Sequence, residues 1–382
     1  MRRILLILAV VLIASAGAVT AAIAVPAAFG PAAEVTYRPG IGVSDANPAD
    51  PVGVTVTGGA LEAVRLLTPE GREVQGELTG DRSAWATTEP LGYGRTYTWS
   101  GSATGSDGRV IPVEGSFTTL TPQERMRGIL NIGPGAAVGI AAPIQIQFTG
   151  HVADRAAVER KLSVTTSVPV EGAWGWLPDE NGGSRVHWRP REYWPSATTV
   201  TVQAPLYGHD YGDGRYGAAD LNSTFTIGRA QVVTADVATH RMVVTVDGEQ
   251  VADYPASYGL ESDPNRVTRS GIHVVTEKFT EKRMVSERYG YDAVQKWAVR
   301  ISNNGEFVHA STDTLGAQGK ENVTHGCINL APGDAEAYYA SALYGDPVEV
   351  TGSSVQLAER DGDLWDWTLS WEQWKRLSSL SE

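Results

Sequence analysis

The chain has 382 residues, with 31 basic and 44 acidic side chains and a formal net charge of −13. At about 150 residues per domain, this length predicts two or three domains, each large enough to bury a core. The acidic balance disfavours nucleic acid as a partner, because gripping a phosphate backbone requires clustered Lys and Arg. With 42 Gly, 20 Pro and 42% hydrophobic residues, the composition is typical of a turn-rich, mainly β protein. It excludes collagen, coiled-coil and polytopic membrane classes.

The N-terminus, residues 1–33, has the pattern of an export signal. Arg2 and Arg3 precede an uncharged run over 4–25, which is a positive region followed by an apolar one. We therefore expect an exported protein at the extracytoplasmic face of the membrane. The run is long enough to span a bilayer and also contains small-residue cleavage sites, so an N-terminal membrane anchor and a cleaved leader both remain open.

Short β-type runs separated by turn signals fill the next two segments. The first, over 34–121, contains runs such as Gly53–Thr57. The second, over 122–228, shows strict alternation in Ile144–Phe148 and a short helical insert near 154–162. Because this spacing of strands is typical of a β-sandwich and both segments end on a similar strand, we predict two immunoglobulin-like modules.

The strands resume over 229–351, which we predict to be a mixed, mainly β domain with one helix. An Asp247-Gly248 pair between two β-rich runs is a strong hairpin signal. The helix is predicted over 335–343, with Asp334 as its N-cap and Gly345 at its end.

A Trp-rich C-terminal extension covers 352–382. Ser370 and Gln373 have the spacing of a capping box, which predicts a short helix with Trp371 and Trp374 on one face. We expect the extension to pack against the third domain, with glycan binding as the alternative.

The chain holds one cysteine, Cys327. In an oxidising compartment cysteines pair as disulfides, yet this thiol has no partner within the sequence, so it is either an inert buried side chain or a nucleophile. A nucleophilic thiol needs an imidazole that takes its proton. His325, two residues away, points to the same face if the strand is extended, whereas His309 reaches the thiol across the fold and is the better base candidate.

The surrounding backbone offers the other parts of an acyl-transfer site. The N–H groups of Gly326 and Cys327 are candidates for an oxyanion hole. The loop over 311–323, with Gly316 and Gly319, is long enough to fold over the site as a cover. No cluster of metal ligands accompanies these residues in the sequence, so no metal or cofactor is expected.

Three motifs occur together here: Phe307-Val308-His309, Gly316-Ala317-Gln318-Gly319 and His325-Gly326-Cys327-Ile328-Asn329-Leu330. Together they resemble the signature of the L,D-transpeptidase (YkuD-type) family. The resemblance is strongest to the actinobacterial branch, which carries two immunoglobulin-like domains before the catalytic domain. It implies that 229–351 is a YkuD-type catalytic domain.

The resemblance implies an enzyme that crosslinks bacterial cell-wall peptidoglycan. In this family the thiolate attacks the third residue of a donor tetrapeptide stem and expels D-alanine, and an amine of an acceptor stem then attacks the thioester to give a 3-3 crosslink. By position, Cys327 is the nucleophile, His309 the general acid/base and His325 a supporting residue. The resemblance also implies inhibition by carbapenem-type β-lactams.

A substrate path follows from the same resemblance. Met284, Tyr289 and Tyr291 fit the residues that line it, and Asn329 fits a residue that holds local structure. Gly326 is placed with them as a substrate-binding position.

Two positions depart from the family pattern. Close relatives often have a serine where this chain has Ala310. Since the family's contact there is through the backbone carbonyl, we expect the orientation of His309 to survive. In addition, only Gly290 separates the two tyrosines, which indicates a reduced cover over the donor site.

Two alternative functions remain open. A stem-peptide L,D-carboxypeptidase would use the same thiol and imidazole but let water resolve the acyl-enzyme. A non-catalytic wall-binding protein would use the immunoglobulin-like modules as a spacer, although a binding module has no need of a lone thiol. The order of His309 before Cys327 counts against papain-like peptidases, in which the cysteine comes first.

Overall fold

The computed structural model describes residues 32–361 and 364–381. The predicted leader or anchor therefore lies almost wholly outside the described residues. Within them, no helix has both the length and the apolar character needed to cross a membrane. The chain divides into two compact units between Leu120 and Thr121, and each is described by itself below. Both are built mainly from strands, which confirms the predicted fold class.

The first unit is a β-sandwich of two antiparallel sheets, with strand orders β1-β2-β5-β4 and β3-β6-β7. Its core is organised around Trp99, which is 1% exposed and meets the edge of Trp85 at a centroid distance of 5.4 Å. Alternating apolar residues supply the inner face of each strand. The strands are β1 (Glu34–Arg38), β2 (Gly53–Thr57), β3 (Gly59–Leu67), β4 (Gly76–Leu78), β5 (Ala84–Thr87), β6 (Thr96–Gly105) and β7 (Val110–Thr118).

The second unit begins with another sandwich, whose main sheets have the orders β10-β18-β15-β12 and β13-β14-β11-β9. Its helix is α1 (Arg155–Glu159), and the Asp154 side chain caps this helix by accepting from the Ala157 N–H at 2.9 Å. The strands are β8 (Glu124–Met126), β9 (Gly128–Leu130), β10 (Ala137–Val138), β11 (Ile144–Phe148), β12 (Ser163–Thr166), β13 (Gly172–Glu180), β14 (Gly183–Pro190), β15 (Thr199–Ala204), β16 (Asp210–Gly212), β17 (Arg215–Gly217) and β18 (Leu221–Ile227).

The third domain has two further sheets, ordered β21-β20-β19-β27-β22 and β23-β24-β25-β26. Asp247 and Gly248 form the predicted turn, and both have positive φ. The elements are β19 (Gln231–Asp236), β20 (Arg241–Val246), β21 (Glu249–Pro255), β22 (Gly271–Val274), β23 (Glu277–Ser286), β24 (Tyr291–Arg300), β25 (Phe307–Ala310), β26 (Ile328–Leu330), α2 (Pro332–Ser341) and β27 (Pro347–Thr351).

The position of α2 differs from the prediction over 335–343. The helix begins at Pro332, because proline has no N–H to satisfy and its fixed φ suits the first helical position. Its N-cap is Ala331, which makes no side-chain capping bond, and Asp334 lies inside the first turn, where a negative charge favours the helix dipole. The helix buries Ala335 in the core between the two sheets.

The first part of the C-terminal extension contacts the third domain, whereas its helix packs elsewhere. Ser370 and Gln373 do form a capping box at the start of α3 (Trp371–Lys375). However, Trp374 is fully buried against Leu177 of the second sandwich and donates to the Ala173 carbonyl at 2.9 Å. The Trp-rich helix therefore stabilises the second sandwich, and the stretch before it contacts the third domain.

Candidate active site

Cys327 lies directly before β26, and His309 lies on β25, the parallel strand next to β26. On β25 and β26, His309 is opposite Asn329. Val308 and Ile328 point into the core, so the alternation of side chains places His309 and Asn329 on the other face. Cys327 directly precedes β26, and the same alternation puts it on that face. From the spacing and rise of β-strands, its Cα lies about 8 Å diagonally from that of His309.

His309 is held in one tautomer. The imidazole is buried, and its Nδ1 lies 2.8 Å from the carbonyl oxygen of Ala310. Because a carbonyl only accepts, Nδ1 donates, and Nε2 keeps the lone pair that a general base needs. Burial lowers the pKa of His309 below its ordinary value of 6.5, which favours the neutral ring.

The Cys327 thiol rests in its protonated form. It is half-buried, and its Sγ donates to the Gly305 carbonyl oxygen at 3.6 Å. Burial raises the pKa of the thiol to about 12; a hydrogen bond from the Phe307 backbone opposes this shift, and the charge of Glu306 adds to it. For this thiol to act as a nucleophile, a base would have to take its proton during the reaction.

His325 does not share an extended strand with Cys327, so this part of the prediction is wrong. Strand β26 begins only at Ile328, and Gly326 has a φ of +114°, which an L side chain rarely adopts. The exposed His325 ring instead packs against Tyr289 and Tyr291, at centroid distances of 4.6 and 5.2 Å. His325 is thus a rim residue that holds two aromatic rings beside the site.

The two tyrosines belong to the end of the hairpin formed by β23 and β24. Residues 287–290 form its turn, so Gly290 is part of a tight reversal. Burial raises the pKa of Tyr291, as do the nearby Cys327 and Tyr289. Met284 pairs with Ala293 and is half-buried on the same face of the ribbon as Tyr291. The structure thus brings both tyrosines to the site and places Met284 farther along the same face.

Thr324 fixes the backbone around Cys327. Its hydroxyl donates to the Cys327 carbonyl at 2.6 Å and accepts from the Gly326 N–H at 3.3 Å. Thr268 donates to the Gly326 carbonyl at 2.9 Å. Since the Gly326 N–H already has this partner, the predicted oxyanion hole depends on the N–H of Cys327.

Asn329 connects β26 to the loop over 311–323. Its Nδ2 donates to the Thr314 hydroxyl at 3.3 Å, and its backbone exchanges hydrogen bonds with Ser257 at 2.9 and 3.0 Å. Gln318 folds the loop upon itself by donating to the Ser311 carbonyl at 3.0 Å and to Thr314 at 3.2 Å. Asn329 therefore links β26 to the loop over 311–323 and to Ser257.

Sequence reasoning missed Thr324, Thr268 and Glu306 as residues of the site. Thr324 directly precedes the His-Gly-Cys motif, and its spacing to Cys327 is that of a side chain closing a turn, which is a readable signal. Thr268 and Glu306 contact Gly326 from positions far away in the sequence. Their distance along the chain from Cys327 therefore gives no sign that they belong to the site.

Comparison with known proteins agrees with this geometry. Residues 230–350 match the L,D-transpeptidase catalytic domain family, YkuD, and residues 43–210 match a bacterial Ig domain family. L,D-transpeptidase 5 of Mycobacterium tuberculosis is 52% identical over 92% of this chain and 78% of that relative. The chain belongs to the L,D-transpeptidase family.

Two further relatives of this L,D-transpeptidase family member are informative. L,D-transpeptidase 2 of Mycobacterium tuberculosis is 37% identical over 85% of this chain and 80% of that protein. A solved structure of an L,D-transpeptidase in complex with imipenem is 31% identical. The match between the two covers 60% of this chain and 100% of the solved chain, with a TM-score of 0.51. The similarity to relatives of the actinobacterium Mycobacterium tuberculosis is consistent with the predicted branch.

Proposed function

We propose that this family member forms 3-3 crosslinks in peptidoglycan through a Cys327 thioester. The observation that carries the proposal is that Cys327 directly precedes β26, while the buried His309 lies on β25, the strand paired with β26. The tautomer set by Ala310 leaves Nε2 of His309 as the basic atom. An acyl transfer by this thiol needs such a base and requires no metal or cofactor.

In the first half-reaction, His309 takes the thiol proton as Sγ of Cys327 attacks the carbonyl carbon of the third stem residue. The new C–S bond forms, and the C–N bond to D-alanine breaks. The imidazolium returns its proton to the departing amine, so His309 acts first as base and then as acid. The N–H of Cys327 is the candidate donor to the developing oxyanion.

In the second half-reaction, the side-chain amine of an acceptor stem attacks the thioester. A C–N bond forms, the C–S bond breaks, and the amine proton passes through His309 back to sulfur. Tyr289 and Tyr291, steadied by His325, form an aromatic rim where the stems enter. If water took the place of the amine, the product would be a tripeptide, and the enzyme would be a carboxypeptidase.

The proposal extends to inhibitors and location. A strained β-lactam carbonyl presents the same electrophile to Cys327, and a related L,D-transpeptidase has been solved with imipenem bound. We expect carbapenems to acylate this thiol. A peptidoglycan substrate also requires the domain to work outside the cytoplasm, in keeping with the basic and apolar pattern over 1–33.

The test is mass spectrometry of the protein incubated with a disaccharide-tetrapeptide donor, beside Cys327→Ala and His309→Ala variants. Crosslinked dimer with loss of D-alanine, absent with Cys327→Ala, would support the transpeptidase. Tripeptide alone would indicate the carboxypeptidase. If neither product formed with several distinct donors and imipenem left the thiol unmodified, a wall-binding role would replace the proposal.

A further inference from the structure

A buried charged cluster lies directly behind the thiol. It consists of Glu306, Arg269, His273 and Asp361, which are on different elements of the second unit. Its acidic side chains are 3–4% exposed, although Glu306 follows an exposed turn. Buried charges are retained only when they are paired, so this cluster needs a physical reason for its position beside the nucleophile.

Glu306 is next to two groups that surround the thiol: the Gly305 carbonyl and the backbone of Gly326. It directly follows Gly305, whose carbonyl receives the thiol hydrogen. On the other side, a Cβ added to Gly326 would lie 3.5 Å from Cγ of Glu306, so the glutamate stem packs close to the residue before Cys327. A shift of Glu306 would therefore move the acceptor of the thiol and the backbone that carries it.

Several groups hold the Glu306 carboxylate. Oε1 accepts from the Arg269 backbone N–H and from its guanidinium, both at 3.1 Å. Oε2 accepts from the Ser302 hydroxyl at 2.9 Å and lies 3.5 Å from Nδ1 of His273. The Ser302 hydroxyl also contacts Asn304, so the carboxylate organises the turn over 302–306.

The C-terminal extension completes the cluster. Asp361 pairs with Nε of Arg269 at 3.1 Å, and its backbone carbonyl accepts from the Asn304 N–H at 3.1 Å. The same residue of the extension therefore fixes the guanidinium that holds Glu306 and the turn that carries Gly305.

We propose that Glu306 is a positioning residue for Cys327, and that Asp361 of the C-terminal extension acts on the nucleophile through Arg269 and Glu306. The cluster holds the Gly305 carbonyl where it receives the thiol hydrogen and places a carboxylate close behind the sulfur. The assignment of Cys327 as nucleophile rests on the proposed function, but the coupling between the cluster and the thiol is testable without it.

The negative charge of Glu306 affects how readily the Cys327 thiol ionises. The groups that face Cys327 are His309, Tyr291 and Glu306, and those that face Glu306 are Arg269 and His273. The carboxylate disfavours the thiolate, so Glu306→Gln should make the thiol more reactive toward a simple alkylating agent. The loosened turn should at the same time slow acylation, which requires an oriented sulfur.

The experiment follows alkylation of full-length protein by iodoacetamide from pH 6 to 10, and acylation by imipenem at pH 7, both by intact mass. For Glu306→Gln we expect the alkylation profile to move to lower pH, with a rate at pH 8 raised roughly threefold or more. Acylation should fall about tenfold. For Asp361→Asn, acylation should fall between about threefold and tenfold. Gln373→Ala weakens the capping box in the same extension and should leave both rates unchanged.

Arg269→Met leaves the buried carboxylates of Glu306 and Asp361 without their cationic partner. The Arg269→Met/Glu306→Gln double variant removes one of these two charges. Recovery of acylation in the double variant relative to the single one would support the coupling. If Arg269→Met does not fold, Asp361→Asn and Glu306→Gln still decide the matter. An unchanged alkylation profile for Glu306→Gln, or an equal loss of acylation in Gln373→Ala, would overturn the proposal.

The alkylation arm separates this inference from the proposed function. If the protein forms no crosslinks but Glu306→Gln still shifts the alkylation profile, the positioning role stands and the transpeptidase proposal fails. If crosslinks form and the profile does not shift, the transpeptidase stands and the positioning role fails.

Discussion

Nδ1 of His309 lies 2.8 Å from the carbonyl oxygen of Ala310, the next residue of the same strand. The contact uses the backbone alone, so the side chain at position 310 is free to vary without changing the tautomer of the base. The alanine at position 310 is therefore compatible with the tautomer that leaves the lone pair on Nε2 of His309.

We predict that His309→Asn slows acylation of Cys327 by imipenem about 10²- to 10⁴-fold, because the thiol loses its base. Ala310→Ser is the matched control and should acylate at the wild-type rate, since it keeps the carbonyl. Both rates are measured by intact mass at pH 7. A strong loss of rate in Ala310→Ser would show that the residue-310 side chain matters and would contradict the backbone argument.

The buried imidazole should also make stability depend on pH. Burial lowers the pKa of His309 in the folded protein, so on acidification the unfolded chain takes up a proton there before the folded one does. This contribution to stability is complete above about pH 6.5 and is lost as the pH falls through the lower folded-state pKa.

Replacing the imidazole should reduce that dependence. Between pH 7 and 5, the free energy of unfolding of His309→Asn should fall less steeply than that of the wild type, by up to about 1.4 kcal/mol per pH unit. Urea denaturation at pH 7, 6 and 5 measures both slopes. Parallel curves for the two proteins would exclude His309 as a source of the pH dependence.

Thr324 should contribute to both stability and rate. Thr324→Val leaves the Cys327 carbonyl without its 2.6 Å donor, and we expect a loss of about 1–3 kcal/mol in the free energy of unfolding. Acylation should slow as well, because the backbone that carries the thiol is released. Thr324→Ser keeps the hydroxyl and should restore both properties, whereas a serine variant as impaired as the valine one would show that packing of the methyl group matters more.

Trp374 should be the tryptophan of α3 on which stability depends most. It is fully buried, so Trp374→Ala should reduce the free energy of unfolding by about 3–5 kcal/mol. The half-buried Trp371 provides the comparison, and Trp371→Ala should cost clearly less. Thermal denaturation of the two variants measures the difference, and equal losses would mean that Trp374 is not the anchor of the helix.

Local patterns predicted much of the fold from the sequence. The strands Gly53–Thr57 and Ile144–Phe148 have the predicted bounds, because the alternation of side chains is a property of neighbouring residues. The capping box of Ser370 and Gln373 was visible for the same reason. His309 lies on β25 beside β26, the strand that Cys327 directly precedes.

Predictions failed where the deciding contact is distant in sequence or depends on a dihedral angle. The positive φ of Gly326 turns His325 away from the strand direction, and residue spacing alone does not reveal it. Trp374 was predicted to pack on the third domain, but its partner Leu177 lies in the second sandwich. The cluster around Glu306 joins segments far apart in the chain, so periodicity gave no indication of it.

The raised pKa of the Cys327 thiol has a consequence for its resistance to oxidation. Peroxides attack the thiolate, so a thiol whose pKa is raised to about 12 resists conversion to the sulfenic acid. The sequence contains no second cysteine that could resolve such a product as an internal disulfide. Reduction of a sulfenic acid at Cys327 would therefore depend on a small thiol from outside the protein. The burial that disfavours ionisation of the Cys327 thiol thus also protects a residue that no other cysteine of the chain can restore.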